Sequence, residues 1–377
     1  MEPAEARDLF PVTRDQLYLN HAACSPYSVR VQRALRQYLE SRASGRVDNF
    51  KRDKQEMERL RTNLAALLQS PPDRLAITSN TSHGLNIVAQ GLSWQSGDEI
   101  LLSTMEFPAN VYPFLNLKKQ GVIVKWFSPK DGRILVEHIA EHVTKKTRLL
   151  AISYVQYLNG FRADLQAIGA WCRERGILCV VDGIQGVGAM PLLIKDLPID
   201  AVAAGGHKWL MAPKGIGLLY LTEELQRQLE LRYLGWLSVV EPFQFHQFDQ
   251  PLQPDAARFE IATPNHLGIY GMNAAVQLIN EVGIQTIAEQ ILDITGYLIS
   301  RLQEVGCEVL TPLDASERAG IVLFSCGNMD ENQRIYQALL ERKMTLSSRE
   351  GMLRVSPHFY NTREDMDKFL QVLQEIL

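Results

Sequence analysis

The sequence has few cysteines, and they are not arranged in pairs. They are five among 377 residues, an odd number without a C-x-x-C pair, which argues against a disulfide framework and against a zinc knuckle. We expect most of them to be buried, unpaired side chains of a protein in a reducing compartment. The five are Cys24, Cys172, Cys179, Cys307 and Cys326.

Long apolar runs and an excess of one charge are also absent. No apolar run approaches the roughly 18 residues of a membrane-spanning helix. The N-terminal segment carries acids and lacks the apolar core of a signal peptide. The formal net charge is −4 with both signs mixed along the chain, so a nucleic-acid-binding stripe has no support. We therefore expect a cytoplasmic protein, not bound to membrane or nucleic acid, whose partners are small molecules or its own copies.

From Leu75 onward, short apolar runs alternate with amphipathic stretches. Seven runs bounded by turn residues predict strands: RLAIT, DEILLST, VIVKWF, RLLAISYV, ILCVVD, DAVAAGG and GIGLLYL. The patterns at 82–90 and 165–175 between them predict helices. Strands and helices in this order are typical of the α/β class, with a mostly parallel sheet covered on both faces.

The alternation ends after about Glu224. Residues 233–256 are rich in aromatics, Gln and Pro without a clean period, which predicts a loop with a functional or interface role. A long helical pattern then runs from Leu267 into the 300s, and shorter strand and helix patterns follow. We predict a large α/β domain at 16–254 and a smaller α+β domain formed by 1–15 and 255–377.

The turn after the first of these strands is rich in small polar residues at a helix start. These residues are Ser79, Asn80, Thr81, Ser82 and Gly84. Free N–H groups at a helix N-terminus bind anions, so the turn is a candidate phosphate site. An N-cap cluster without a ligand is the alternative.

Two ionisable residues follow later strands. Asp182 ends an apolar run and needs a cation if it is buried. Lys208 follows the strand DAVAAGG, and a lysine among apolar residues becomes a nucleophilic amine that forms Schiff bases with carbonyl compounds. A solvated surface lysine is the alternative. An anion cradle, a carboxylate and such an amine together match the phosphate, ring nitrogen and aldehyde of pyridoxal phosphate (PLP).

The motifs resemble a known family. VDGIQ followed by GGHKW and GIG, with FEIATPNHLGI at Phe259–Ile269, is similar to the class V aminotransferases and cysteine desulfurases, which are fold-type I PLP enzymes. The resemblance extends from YLNHAACSP at Tyr18–Pro26 to RVSPHFYNTREDMDKFL at Arg354–Leu370. It implies a PLP-dependent enzyme acting on an amino acid, with a mostly parallel seven-stranded sheet.

The resemblance also implies roles for individual residues. Lys208 would hold PLP as a Schiff base, Asp182 would pair with the ring nitrogen, and Gln185 would bond the phenolic oxygen. Further cofactor contacts would come from His207, Thr81, Ser82, Phe107 and Asn159, with Gln156 and Tyr157 competing for the role of Asn159. The catalytic residues would be Lys208, His207 and Asp182.

Other positions concern the substrate and a second subunit. Arg354 would bind the substrate α-carboxylate, and the substrate would also contact Asn20, His21 and the neighbourhood of Cys24. Thr263 would reach the phosphate in the partner subunit, which implies a homodimer with shared active sites.

The sequence departs from the family in two places. The segment Thr345–Ser356 lacks the nucleophilic cysteine of the desulfurases, and Gly205 stands where the family has a phosphate-binding serine. The sequence therefore favours transamination or C–S lyase chemistry by β-elimination. A cysteine desulfurase, an amino-acid epimerase and a catalytically silent binding module are the alternatives.

One pattern points to different chemistry. His138, Glu141 and His142 spell H-x-x-E-H, a zinc-protease pattern, but no third ligand is evident and we expect no metal.

Overall fold

The computed structural model describes residues 1–45 and 47–377. The helices are α1 (Pro3–Arg7), α2 (Val12–Asp15), α3 (Val29–Ala43), α4 (Phe50–Leu68), α5 (Thr81–Gly91), α6 (Tyr112–Leu115), α7 (Val136–Ala140), α8 (Leu165–Arg173), α9 (Glu223–Gln228), α10 (His266–Val282), α11 (Ile284–Glu304), α12 (Met329–Glu341) and α13 (Arg363–Ile376). The strands are β1 (Leu17–Tyr18), β2 (Leu75–Thr78), β3 (Glu99–Ser103), β4 (Ile123–Phe127), β5 (Thr147–Ser153), β6 (Leu178–Asp182), β7 (Ala201–Gly205), β8 (Gly217–Leu221), β9 (Glu308–Val309), β10 (Val322–Ser325), β11 (Met344–Thr345), β12 (Ser347–Arg349) and β13 (Met352–Val355).

The seven strands predicted between 75 and 221 form one sheet, in the order β2-β8-β7-β6-β5-β3-β4. Neighbouring strands from β7 to β4 are parallel, whereas β8 runs antiparallel to both of its neighbours. Parallel neighbours need a crossover connection, and the predicted helix α8 supplies the one from β5 to β6. The prediction of a mostly parallel α/β sheet is confirmed.

The sheet is buried on both faces. Alternate residues of a strand point to opposite sides, so Leu150 and Ile152 of β5 pack with α4, α8 and α10. Leu149 and Ala151 of the same strand pack on the other side with α5. Burial on both sides explains why these strands appear in the sequence as continuous apolar runs.

The C-terminal part contains a second, antiparallel sheet in the order β12-β13-β10-β9. Its apolar side chains, such as Phe324, form a separate core with α11, α12 and α13. The N-terminus joins this part, since β1 pairs with β11 and the Phe10 ring stacks on that of Tyr360 with centroids 4.0 Å apart. Helix α10 packs on α3 and α4. The division of the chain at residues 15 and 254 stays a prediction.

Two of the five cysteines are paired, although their odd number and spacing argued against a disulfide framework. Cys307 and Cys326 form a disulfide, with Cα atoms 4.4 Å apart. Cys307 precedes β9 and Cys326 follows β10, so the pairing of Glu308 with Ser325 places them side by side. The other three cysteines are free: Cys24, Cys172 and Cys179. The disulfide removes the support that unpaired thiols gave to a reducing compartment, and cytoplasmic location stays a prediction.

The helical pattern after Leu267 is two helices. They meet at Gly283, whose φ of 91° interrupts the α-helical backbone. Residues 233–255 contain neither helix nor strand apart from a bridge between Val239 and Leu252, so the predicted loop is confirmed. Among the helices described, none has the length and apolar character needed to cross a membrane.

Candidate active site

Asp182 and Lys208 meet at the carboxyl edge of the large sheet. Asp182 is the last residue of β6, and Lys208 lies just beyond the end of the parallel neighbour β7. Ligands bind at this edge in open parallel sheets. The structure thus brings together the two ionisable residues that the sequence identified.

The carboxyl group of Asp182 is buried and only partly hydrogen bonded. Asp182 is 1% exposed, and its Oδ1 accepts a hydrogen bond from the Ile184 N–H at 3.0 Å. Its Oδ2 has no partner among the residues described. Burial raises the pKa of Asp182 to about 7, and the charge of Glu106 adds to this rise while Lys208 opposes it. A buried carboxyl in this state is suited to a cationic or N–H group of a ligand.

The amine of Lys208 is also buried, at 9% exposed. Burial lowers the pKa of Lys208 to about 8, although the carboxylate of Asp182 opposes the shift. The guanidinium groups of Arg354 and Arg349 add to the lowering. The Nζ atom lies 5.5 Å from the centre of the Phe107 ring. A lysine with this pKa is partly neutral near pH 7 and can act as a nucleophile or a base.

Arg354, on β13, is the third charged residue at this site. It is 1% exposed, its Nη1 donates to the Tyr157 carbonyl oxygen at 2.6 Å, and its Nε donates to Ser347 Oγ at 3.2 Å. Its Nη2 is buried and has no partner in the described part of the chain. A guanidinium with unused donors suits a ligand carboxylate, as the sequence predicted.

Asn20 and His21 contribute differently. Asn20 Oδ1 accepts from Ser347 Oγ at 3.0 Å, so Asn20 belongs to the hydrogen-bond network around Arg354. His21 is buried, with Nδ1 2.9 Å from the Ser356 carbonyl oxygen and Nε2 2.8 Å from Tyr360 Oη. Both ring nitrogens are therefore engaged inside the fold. The predicted substrate contact of His21 stays a prediction.

Gln185 and His207 flank these charged residues. Gln185 Oε1 accepts from Trp209 Nε1 at 2.8 Å and its Nε2 donates to the Ala22 carbonyl oxygen at 3.0 Å, which leaves one amide hydrogen for a ligand. Burial lowers the pKa of His207. A Cβ at Gly205 would lie 3.3 Å from His207 Nδ1, so the glycine that departs from the family pattern leaves room for this ring.

The candidate phosphate site lies at the start of α5. Asn80 Oδ1 accepts from the His83 N–H at 2.9 Å, so the N-cap that the sequence offered as an alternative is present. Thr81 Oγ1 is buried without a partner in the described chain, and Ser82 lines a cavity of about 780 Å³ together with Phe107. Because the cap leaves this hydroxyl and first-turn N–H groups available, phosphate binding stays a prediction with structural support.

Thr263 does not join this group within one chain. It is exposed and lines a separate cavity of about 450 Å³ with Trp236, Phe243 and His266. The predicted role of Thr263 at the site of a second subunit stays a prediction.

Sequence reasoning missed Glu106, which lies just after β3. This buried carboxylate accepts four hydrogen bonds, from the Ser153 N–H (3.0 Å), Ser153 Oγ (2.5 Å), Gln156 Nε2 (3.0 Å) and Asn110 Nδ2 (3.0 Å). The sequence did contain a signal for Glu106, because it is an acid after an apolar strand, and the same pattern had identified Asp182.

The three candidates between 156 and 159 differ in their contacts. Asn159 Nδ2 donates to the Gly132 carbonyl oxygen at 2.9 Å and its Oδ1 accepts from the Phe161 N–H at 3.1 Å. Tyr157 packs its ring against Phe107. Gln156 Oε1 is buried and without a partner among the residues described. Of the three, Gln156 has the unused polar atom.

The H-x-x-E-H residues lie apart from this site. His138 Nδ1 contacts the Arg133 carbonyl oxygen, and His142 Nδ1 contacts that of His138, both at 3.0 Å. Over residues 1–45 and 47–377, no group of three or more His, Cys, Asp or Glu side chains is placed to hold a metal ion.

Comparison with known proteins supports the family resemblance that the sequence motifs indicated. The family model "Aminotransferase class-V" matches residues 17–369. The chain is 27% identical to a probable cysteine desulfurase of Methanothermobacter thermautotrophicus, over 100% of this chain and 98% of the relative. The apo structure of a cysteine desulfurase from Thermococcus onnurineus NA1 is 25% identical, with a TM-score of 0.89 and coverage of 100% and 98%.

A third similar protein, C-DES, has been solved in two relevant states. Both structures are 26% identical to this chain and cover 97% of it and 98% of their own length, with a TM-score of 0.89. One is a mutant with glycine covalently linked to the PLP cofactor. The other is described as a cystine C–S lyase in complex with its reaction product, cysteine persulfide. The chain belongs to the aminotransferase class-V family, whose enzymes use pyridoxal phosphate.

Proposed function

We propose that this protein cleaves the C–S bond of a sulfur-containing amino acid by PLP-dependent β-elimination. The observation that carries the proposal is the buried amine of Lys208 between Asp182 and Arg354, each of which has a buried polar atom without a partner in the described chain. The similarity to cysteine desulfurases and to a cystine C–S lyase supports this reaction among those of the family.

The residues at the site fit PLP. Asp182 Oδ2 suits the protonated ring nitrogen, and the remaining amide hydrogen of Gln185 suits the phenolic oxygen. Lys208 would bind the aldehyde carbon. Contacts to the phosphate would come from Thr81, Ser82 and His207, and Phe107 would cover the ring. When bound, PLP supplies an electron sink for negative charge at the substrate Cα.

The substrate contacts follow from the unused polar atoms. Arg354 would bind the α-carboxylate and so fix the orientation of the substrate. Gln156 Oε1 can only accept, which suits an N–H of the substrate amino group. The cofactor contact predicted for Asn159, with Gln156 and Tyr157 as competitors, stays a prediction.

Lys208 would then act as the base. With a pKa of about 8, part of its population is neutral near pH 7 and can remove the Cα proton. A thiolate leaves Cβ, and water converts the remaining fragment to pyruvate and ammonia. Cysteine plus water thus gives pyruvate, ammonia and hydrogen sulfide, and cystine plus water gives pyruvate, ammonia and cysteine persulfide.

Cys24 favours one alternative. It precedes Ser25, whose N–H donates to the His207 carbonyl oxygen at 2.9 Å and whose Oγ donates to the Lys208 carbonyl oxygen at 2.5 Å, so Cys24 belongs to a segment that packs against the lysine. The turn between β12 and β13, in contrast, contains no cysteine. In a desulfurase, this thiolate would attack the substrate Sγ, leaving an enzyme persulfide and alanine. Cysteine desulfuration through Cys24 is therefore the second candidate function.

The products distinguish these reactions. The purified protein should absorb at about 410–430 nm, as PLP does when it is bound to a lysine. We expect pyruvate in equal amount to sulfide from L-cysteine, or to persulfide from L-cystine. Alanine with a Cys24 persulfide detected by mass spectrometry would establish the desulfurase. A new amino acid from an added keto acid, or an inverted enantiomer, would establish transamination or epimerisation, and no product from any amino acid would indicate a silent binding module.

We also propose a homodimer with shared sites. The position of Thr263 in a separate cavity supports it, as do the exposed aromatic side chains of the 233–255 loop. Light scattering after size exclusion should give twice the mass of 42.6 kDa.

A further inference from the structure

A second arginine shares the active-site face of the β12–β13 hairpin. Ser347 lies directly opposite Arg354 in this antiparallel pair, and its hydroxyl accepts the hydrogen bond from Arg354 Nε. Arg349 is two residues beyond Ser347 on the same strand. Since alternate residues of a strand point to the same side, Arg349 lies on the face that carries Arg354.

The charge of Arg349 affects the pKa values of groups at the site. It contributes to lowering the pKa of Lys208 and that of Arg354, although burial is the larger cause for both groups. It also lowers the pKa of Tyr157, which burial raises. Arg349 is therefore a second cation on the face of the hairpin that carries Arg354.

Arg349 has no carboxylate partner among the residues described. Its Nη1 donates to the neighbouring Ser348 carbonyl oxygen at 2.9 Å, and the side chain is half-buried. The nearby Glu350 is exposed; its charge reaches Tyr157, but it forms no ion pair with Arg349 in this part of the chain. Once Arg354 holds the α-carboxylate, Arg349 remains as a cation without an anion.

We propose that Arg349 binds a second carboxylate of the amino-acid substrate, carried on its side chain or on the far half of a disulfide such as cystine. The inference rests on the proposed function, because it takes Arg354 as the α-carboxylate site. The proposed substrates are therefore sulfur-containing amino acids that carry a second carboxylate. A planar guanidinium suits this selection because it binds a carboxylate through parallel hydrogen bonds.

The test uses two substrates that differ in charge but hardly in shape, S-carboxymethyl-L-cysteine and its amide S-carbamoylmethyl-L-cysteine, with L-cystine as a third. The holoenzyme should prefer the carboxylate over the amide by about tenfold in kcat/KM. Arg349→Gln should abolish this preference through KM and raise the KM for cystine, while turnover of the amide changes less than about twofold. Arg349→Lys should keep part of the preference. Arg342→Gln, an exposed change of equal charge, should behave as the unmodified protein.

Several outcomes would overturn the inference while leaving the proposed function intact. One is equal elimination from the acid and the amide by the unmodified enzyme. Another is an equal loss with both substrates in Arg349→Gln, which would place Arg349 at the α-carboxylate. A loss of PLP affinity measured by absorbance titration would place it at the cofactor. No elimination from any of the three substrates would remove this inference, and no elimination from L-cysteine either would remove the proposed function with it.

Discussion

The two ends of the candidate site differ in how far one chain completes them. At the end assigned to the pyridine ring and the substrate, Asp182, Lys208 and Arg354 are buried and their pKa values are shifted chiefly by burial. Asp182 and Arg354 each have a buried polar atom without a partner in the described chain. At the end assigned to the phosphate, Asn80 is exposed and caps α5, and Thr263 lies in another cavity. One chain therefore preforms the ring end and leaves the phosphate end open.

This difference between the two ends affects the stability of the apoprotein. Buried charged groups without partners destabilise the protein until a ligand pairs with them, whereas exposed capping groups are satisfied by the helix and by water. Substitutions at the ring end should therefore reduce function and stabilise the apoprotein. Those at the phosphate end should change cofactor affinity with little effect on stability.

Removal of the amine should have the largest effect. Lys208→Ala should lower kcat by about 10³-fold or more, because it removes both the covalent attachment and the base. The absorbance at about 410–430 nm should disappear even when PLP is added in excess. Lys195→Ala, at an exposed lysine, should retain the band and the activity. A band that persists in Lys208→Ala would show that another group holds the cofactor.

Removal of the buried carboxylate tests the energetic claim directly. Asp182→Asn should lower kcat by about 10²-fold, since the ring nitrogen loses its counter-ion, and stabilise the apoprotein at pH 8 by about 4 kcal/mol. The folded-state pKa of about 7 lies above the ordinary 3.8. Between these values the folded protein holds a proton that the unfolded chain has lost, so the stability contributed by this group falls as pH rises from about 4 to 7.

Urea unfolding of the apoprotein at several pH values measures this contribution. The unmodified protein should lose stability relative to Asp182→Asn as pH rises through that range, and the difference should be constant above about pH 8. Asp196→Asn, at an exposed carboxylate, should follow the unmodified protein. A pH-independent difference between Asp182→Asn and the unmodified protein would contradict the assignment of a raised pKa to Asp182.

The ring end was predictable from sequence because its signals are local. Asp182 and Lys208 each follow an apolar run, and parallel topology places the carboxyl ends of such strands together. Glu106 also follows an apolar strand, β3. Its place in a buried hydrogen-bond network became evident only from the four hydrogen bonds that it accepts in the structure. The roles of His21 and Gln156 depend on which polar atoms the fold already occupies, which no spacing reveals.

Features of the C-terminal sheet were not predictable because they depend on antiparallel register. Cys307 and Cys326 come together through the pairing of β9 with β10. Arg349 shares a face with Arg354 through the pairing of β12 with β13. A shift of register by one residue would move either set to the opposite face, and the short strands of this sheet carry little sequence signal for register.

The open phosphate end can be tested with a second subunit. Thr263→Val should weaken PLP affinity by about tenfold through loss of one hydroxyl, with the apoprotein equally stable. Mixed dimers of Thr263→Val and Lys208→Ala contain one site with neither change, so activity at low PLP should rise on mixing. Mixing Lys208→Ala with Lys195→Ala tests exchange of subunits alone. No gain in the first mixture would show that Thr263 serves its own chain.

Thr81 sharpens the comparison, because it lies at the phosphate end but has a buried, unpartnered hydroxyl like the groups at the ring end. Thr81→Val should weaken PLP affinity about threefold to tenfold and stabilise the apoprotein by about 0.5–1 kcal/mol, since an unsatisfied buried hydroxyl is removed. Ser82→Ala, at a less buried hydroxyl in the same turn, should weaken PLP binding without stabilising the apoprotein. Titration of PLP absorbance and urea unfolding measure the two effects. Equal stability changes in the two variants would mean that the position of a group along the site, and not its burial, determines whether the apoprotein is destabilised.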